Sequence, residues 1–144
     1  MNKKLIFTAA LLAAVMLPQD GHCEHGGRIS LNFVEFYPPE VRADVPFEII
    51  FKLANTGTQP ATPYAEVTLS GEVLNEKGAQ VLKPVDKKYN IYNFWPGDRS
   101  GKQRYYIGPL PSGEYKLRVD VNAFIRVKNV VVSNETFEMT IIVK

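Results

Sequence analysis

A chain of 144 residues, 45% hydrophobic and 22% charged, has the length for one domain with its own core and the composition of a folded protein rather than a disordered tail. Its formal net charge of +2 provides no general attraction to nucleic acid or to an anionic bilayer, so neither is expected as a partner. The single cysteine, Cys23, excludes an internal disulfide, and the fold must be held by burial and hydrogen bonding.

The first residues have the layout of an export signal. Lys3 and Lys4 precede an apolar run from Leu5 to Leu17, and Pro18 ends it ahead of a small-residue zone. As a helix that run spans about 20 Å, short of the ~30 Å of hydrocarbon that a membrane helix must cross. Gly21 and Cys23 supply the small residues a signal peptidase reads, which places cleavage before Glu24. Residues 1–23 are thus expected to be a signal peptide and residues 24–144 the exported domain, with no membrane span after cleavage. Lipidation of Cys23 fits poorly with the Asp20-Gly21-His22 that precedes it. A metal clip of His22, Cys23 and His25 has suitable ligand types, but cleavage would divide it.

From Arg28 onward the hydrophobic pattern has period two, the mark of half-buried strands. Ile29, Leu31 and Phe33 alternate with polar neighbours up to Pro38-Pro39. Phe47, Ile49, Phe51 and Leu53 do the same up to the turn Asn55-Thr56-Gly57. Val67, Leu69 and Val73 mark a third strand before Asn75-Glu76-Lys77-Gly78, and weaker strands fall between Val81 and Phe94. Tyr105 and Ile107 precede Gly108-Pro109. Tyr115, Leu117, Val119 and Val121 form the next strand, and Phe137, Met139, Ile141 and Val143 the last. About seven short alternating strands separated by Gly, Pro and Asn turns predict an all-β chain, an immunoglobulin-like antiparallel β-sandwich. Arg28–Val34 also suits donation to a neighbouring sheet, although a first strand of its own sheet is the simpler reading.

The order of turns resembles the cell-adhesion-related domain of bacteria and archaea (CARDB), one of the immunoglobulin-like and fibronectin-III-like sandwiches. The resemblance is carried by Asn55-Thr56-Gly57 after an apolar strand, Trp95-Pro96-Gly97-Asp98, Pro111-Ser112-Gly113-Glu114-Tyr115 entering the strand that ends at Asp120, and Ser133-Asn134-Glu135 in the last hairpin. It covers about Leu31 to the carboxyl end. The stretches Val81–Lys102 and Phe124–Val132 are longer than the family pattern. The resemblance implies a surface or secreted protein with an adhesive, scaffold or accessory role, and it supplies no catalytic residues. Tyr115 is expected to form a tyrosine corner, its hydroxyl bonding nearby backbone.

The inventory argues against an enzyme. After cleavage before Glu24 the chain keeps one histidine, His25, and no cysteine, so Cys/His and Ser/His/Asp nucleophilic sites are excluded. Glu66, Glu72, Asp86 and Asp98 are the carboxylates that acid–base chemistry would use, and they read as solvated surface. Neither a phosphate-binding loop nor a calcium loop appears, and no cofactor or metal is expected. The richest cluster runs from Lys87 to Trp95 and on to Tyr106. Within it Tyr92, Trp95, Arg104, Tyr105 and Tyr106 are the candidate binding residues, because aromatic rings beside hydrogen-bonding side chains serve both sugar faces and protein hot spots. Trp95 itself is expected in the core, as one tryptophan often is in a sandwich. The expected function is an exported binding or scaffold module in the periplasm, at the cell surface or outside the cell, meeting a protein partner of the envelope through loops and sheet edges. Two alternatives are a carbohydrate-binding module that uses Tyr92, Trp95, Tyr105 and Tyr106 on a polysaccharide, and a structural filament subunit.

Overall fold

The computed structural model describes residues 26–144, so the expected signal peptide, its cleavage site and the readings of His22, Cys23 and His25 lie outside the described residues. Among the described residues eight strands follow in order: β1 (Ile29–Tyr37), β2 (Glu48–Asn55), β3 (Ala61–Leu74), β4 (Gln80–Leu82), β5 (Lys87–Phe94), β6 (Gln103–Tyr106), β7 (Gly113–Ile125) and β8 (Val130–Val143). The expected count was about seven; the weak region after Val81 supplies both β4 and β5. All pairings are antiparallel. A small sheet has the order β1-β2-β6, and a large one has β3-β7-β8 with β4 and β5 sharing the outer edge of β3.

Alternation decides what the two sheets bury. Ile49, Phe51 and Leu53 of β2 face Val67, Leu69 and Val73 of β3 and Leu117, Val119 and Val121 of β7 in one apolar core, all essentially inaccessible. At about 1.5–3 kcal/mol for each large side chain buried, this is what offsets chain ordering without a covalent link. In β1 the alternation slips at a bulge between Phe33 and Glu35, so that Phe36 turns inward and Tyr37 outward. Residues 28–34 are therefore mostly the start of a strand in this domain's own sheet.

Side chains close the two ends. At one end Asn55, buried to 1% exposure, uses both sides of its amide. Its Nδ2 donates to the carbonyls of Gln59 (2.9 Å) and Phe94 (3.0 Å), and its Oδ1 accepts from the amide of Gly57 (3.0 Å). Its backbone holds the turn after β5, donating to Asp98 and accepting from Gly97. Gly57 is required here because a Cβ would run into the backbone of Gly26–Arg28. The Asn-Thr-Gly turn signal is thus also a joint. At the other end the Tyr115 hydroxyl donates to the Pro111 carbonyl at 2.8 Å, the expected tyrosine corner.

Candidate functional site

β6 is short, and period two divides its residues between core and surface. Tyr105 points in and is 2% exposed; Arg104 and Tyr106 point out, Tyr106 being 53% exposed. Tyr105 is therefore not a surface ligand-binding residue, which corrects the expectation drawn from its sequence neighbours. Its ring crosses the core, and its hydroxyl accepts the amide of Gly71 in β3 at 3.0 Å, tying the two sheets together. A Cβ at Gly71 would sit 3.0 Å from that oxygen, which explains a glycine inside a long strand. Burial pushes the Tyr105 hydroxyl above its ordinary pKa, against the lowering effect of the Gly71 bond.

Trp95 corrects the expectation in the other direction. It is 55% exposed, and the core position goes to Phe94. The cause is Asn93, whose φ of 46° is left-handed. Ile91 points in, and an unbroken alternation would send residues 93 and 95 in after it; the kink at Asn93 turns Phe94 inward and leaves Trp95 in the turn. Asp98 fixes that turn, its carboxylate accepting the Trp95 amide at 2.9 Å. Tyr92, 67% exposed, stands beside Tyr64 on the outer face of the large sheet, with ring centroids 5.8 Å apart.

The five candidate residues consequently do not form one platform. Tyr92 and Trp95 are at the Asn55 end, Tyr105 is inside, and Arg104 and Tyr106 are on the outer face of the small sheet. Tyr106 pairs with Glu48, the first residue of β2, whereas the Trp95 turn is bonded to Asn55, its last. At ~3.3 Å per residue those two ends of β2 are roughly 23 Å apart.

What the sequence reading missed is a partner for Arg104 and Tyr106. Glu48 pairs across β2 with Tyr37 of β1 on one side and Tyr106 of β6 on the other. One row of the outer face therefore reads Tyr37, Glu48, Tyr106. In the adjoining row the guanidinium carbon of Arg104 lies 4.7 Å from the centroid of the Tyr37 ring, a cation–π contact, and its Nη1 is 3.5 Å from Glu48. Both rings remain about half exposed. The strand before Pro38-Pro39 ended in this tyrosine in the sequence too, but only the bulge in β1 shows which way it points.

The carboxylates weighed for acid–base chemistry are engaged in surface pairs. Arg126 donates from Nε and Nη2 to the two carboxylate oxygens of Glu66. That hydrogen-bonded guanidinium holds the Glu66 carboxyl below the ordinary carboxylate range, the reverse of what a general acid needs. Glu72 accepts from Arg118 at 3.2 Å, Asp86 lies 3.8 Å from Lys83, and Asp98 caps its own turn. Among the described residues no group of three or more His, Cys, Asp or Glu is placed to hold a metal ion.

Neither a family model nor a curated protein sequence matches the chain. Solved structures do match in fold. The CARDB domain of the PF1109 protein from Pyrococcus furiosus, solved in complex with di-metal ions, shares 14% identity at a TM-score of 0.50 over 85% of this chain and 97% of that one. The fold is CARDB-like. A Bordetella pertussis protein provisionally named ApaA shares 9% identity at a TM-score of 0.57 over 84% of this chain and 98% of its own. The likeness extends to architecture. Ser133-Asn134-Glu135 lies in β8, the second strand of the last hairpin, whose turn is made by Arg126–Lys128 with left-handed Asn129. There Ser133 Oγ accepts the Ile29 amide at 2.9 Å and Glu135 meets Arg28 at 3.3 Å, so this motif clasps one sheet to the other.

Proposed function

We propose that this chain is an exported, non-catalytic binding or scaffold module of the cell envelope or extracellular space, and that it engages a protein partner through the outer face of its small sheet. The observation behind the reading is the grouping of Tyr37, Glu48, Arg104 and Tyr106 on three hydrogen-bonded strands. Two half-exposed rings beside an arginine oriented by stacking are what interface hot spots are built from, because little side-chain freedom remains to be lost on binding. A sheet face positions them better than a loop would. Export is supported by the charged, apolar and small-residue order of residues 3–23. The non-catalytic reading is supported by carboxylates already committed to arginine, lysine or backbone partners. The polysaccharide alternative loses its main support, since its four aromatic residues are dispersed between core, tip and face.

A photo-reactive residue in place of Tyr106 should cross-link the partner in the envelope of the producing cell. The partner's affinity is then measured by surface plasmon resonance. Replacing Tyr37 and Tyr106 together by alanine is expected to cost about 2 kcal/mol or more, roughly 30-fold in Kd, with the circular-dichroism spectrum unchanged. Retention on a polysaccharide affinity gel that the same two substitutions abolish would replace the protein partner by a glycan.

A further inference from the structure

The edges of the two sheets are unequally protected. β4 has three residues and β6 four. The Lys87 ammonium donates to the Arg104 carbonyl of β6, occupying an edge acceptor. β5 carries Lys87 and Lys88 and is kinked by left-handed Asn93, while β1 has its bulge between Phe33 and Glu35. Lysines, kinks, bulges and brevity are the devices that keep an edge from pairing with another chain. β8 has none of them over most of its length. It runs 14 residues without Pro, Gly, Lys or Arg, and its register with β7 is regular from Ser133 to Val143.

The direction of its free hydrogen-bonding groups follows from its last residue. The N–H and C=O of Lys144 turn away from β7 to Val41 and Ala43, at 3.1 and 2.8 Å. Regular alternation then turns the backbone groups of Ile142, Thr140, Glu138, Thr136 and Asn134 to the same side. The clasp of Ser133 and Glu135 to Ile29 and Arg28 closes the far end. Between these two closures no strand pairs with β8 on that side among the described residues. Beneath the open window, Phe137 and Met139 of β8 and Phe33 and Phe36 of β1 pack on the core but are only partly buried.

We infer that the open edge of β8 pairs with β8 of a second copy of this chain, antiparallel about a two-fold axis. A strand is the one element that satisfies a row of alternating N–H and C=O groups, and an isologous contact makes the two rows match by construction. Charge permits it. Glu138 is the only ionisable residue in the window, and it is already neutralised by Arg118 at 2.8 Å and approached by Lys116 at 3.9 Å. An axis beside Met139 sets Glu138 against Thr140 of the second copy and avoids opposing carboxylates. Pairing residues 136–142 in this register forms roughly eight main-chain hydrogen bonds and joins the two large sheets into one. This association uses a different face from the Tyr37–Tyr106 platform and stands or falls separately from it.

Sedimentation equilibrium of the purified protein tests the inference. The expected result is a dimer whose dissociation constant rises at least about tenfold with Thr140→Pro and with Ile142→Lys. Thr140→Pro removes an amide that points away from β7, so the ladder within the domain stays intact. Ile142→Lys adds an edge lysine at an exposed position and keeps the test decisive if the proline variant does not fold. A protein that is monomeric up to millimolar concentration overturns the inference, and so does a dimer indifferent to both substitutions.

Discussion

The two outer faces of the sandwich are made from the same kind of strand yet differ in what they leave unsatisfied. On the large sheet, polar side chains find each other. Glu72, Arg118 and Glu138 form a row across β3, β7 and β8, Thr136 donates to Asp120 at 2.9 Å, and Arg126 covers Glu66. On the small sheet, two tyrosine rings and an arginine stand together with one long contact to Glu48. Apart from the Tyr64–Tyr92 ring pair near its edge, the first face is built of polar groups that satisfy one another. The second keeps apolar ring surface in solvent, beside a charge that is already oriented, and has more to gain from a partner.

The largest effect that sharpens this contrast lies on neither face. Asn55→Ala deprives Gln59, Phe94 and Gly57 of their buried partners and is expected to destabilise by about 3 kcal/mol, since each orphaned buried group costs about 1–3 kcal/mol. Urea denaturation measures it. Below the new Tm, binding through Tyr37 and Tyr106 should persist, because the joint is at the opposite end of β2. Loss of binding in a folded Asn55 variant would move the interface to the Trp95 tip.

A smaller effect is expected between the faces. Tyr105→Phe removes the hydroxyl that receives the Gly71 amide and should cost about 1–2 kcal/mol. The same group makes stability depend on alkaline pH. Its folded pKa is raised above the ordinary value near 10, so its contribution is complete below pH ~10 and falls as pH rises through the folded value. Burial raises Tyr89 likewise, and its hydroxyl has no protein partner. Ultraviolet titration should therefore show Tyr89 and Tyr105 ionising only above the ordinary tyrosine range, or with unfolding. Tyr105→Phe should flatten part of the alkaline loss of stability. The smallest effect belongs to the large sheet. Arg118→Gln is expected to cost less than about 1 kcal/mol, because its pairs are substantially solvated, and most of that difference should vanish in molar salt. Partner affinity should not change. An Arg118 variant that binds as weakly as the tyrosine variants would erase the distinction between the faces.

Much of this architecture was legible in the residues, and what was not has physical causes. Period two in Phe47–Leu53 and in Tyr115–Val121 specified which side chains enter the core, and the proline-rich turn before Tyr115 identified its corner. Alternation is a local property and survives until something shifts the phase. Asn93 shifts it in β5 and the Phe33–Glu35 bulge shifts it in β1, and those two places decide where Trp95 and Tyr37 point. Tyr105 was misplaced for another reason. Its common parity with Ile107 already implied burial, and Gly71 marked a close approach from the facing sheet, but the aromatic cluster around it read as a surface. The Tyr37–Arg104 contact is non-local, and no pattern within a single strand encodes it.

The joint at Asn55 contains only amides and carbonyls. It has no proton to gain or lose across the ordinary range of pH, and counter-ions cannot screen it as they screen Glu66 and Arg126. In the envelope location proposed above, acidity and ionic strength change, and under those conditions the joint between Asn55 and the Phe94 carbonyl keeps its hydrogen bonds while the ion pairs of the large sheet loosen and re-form.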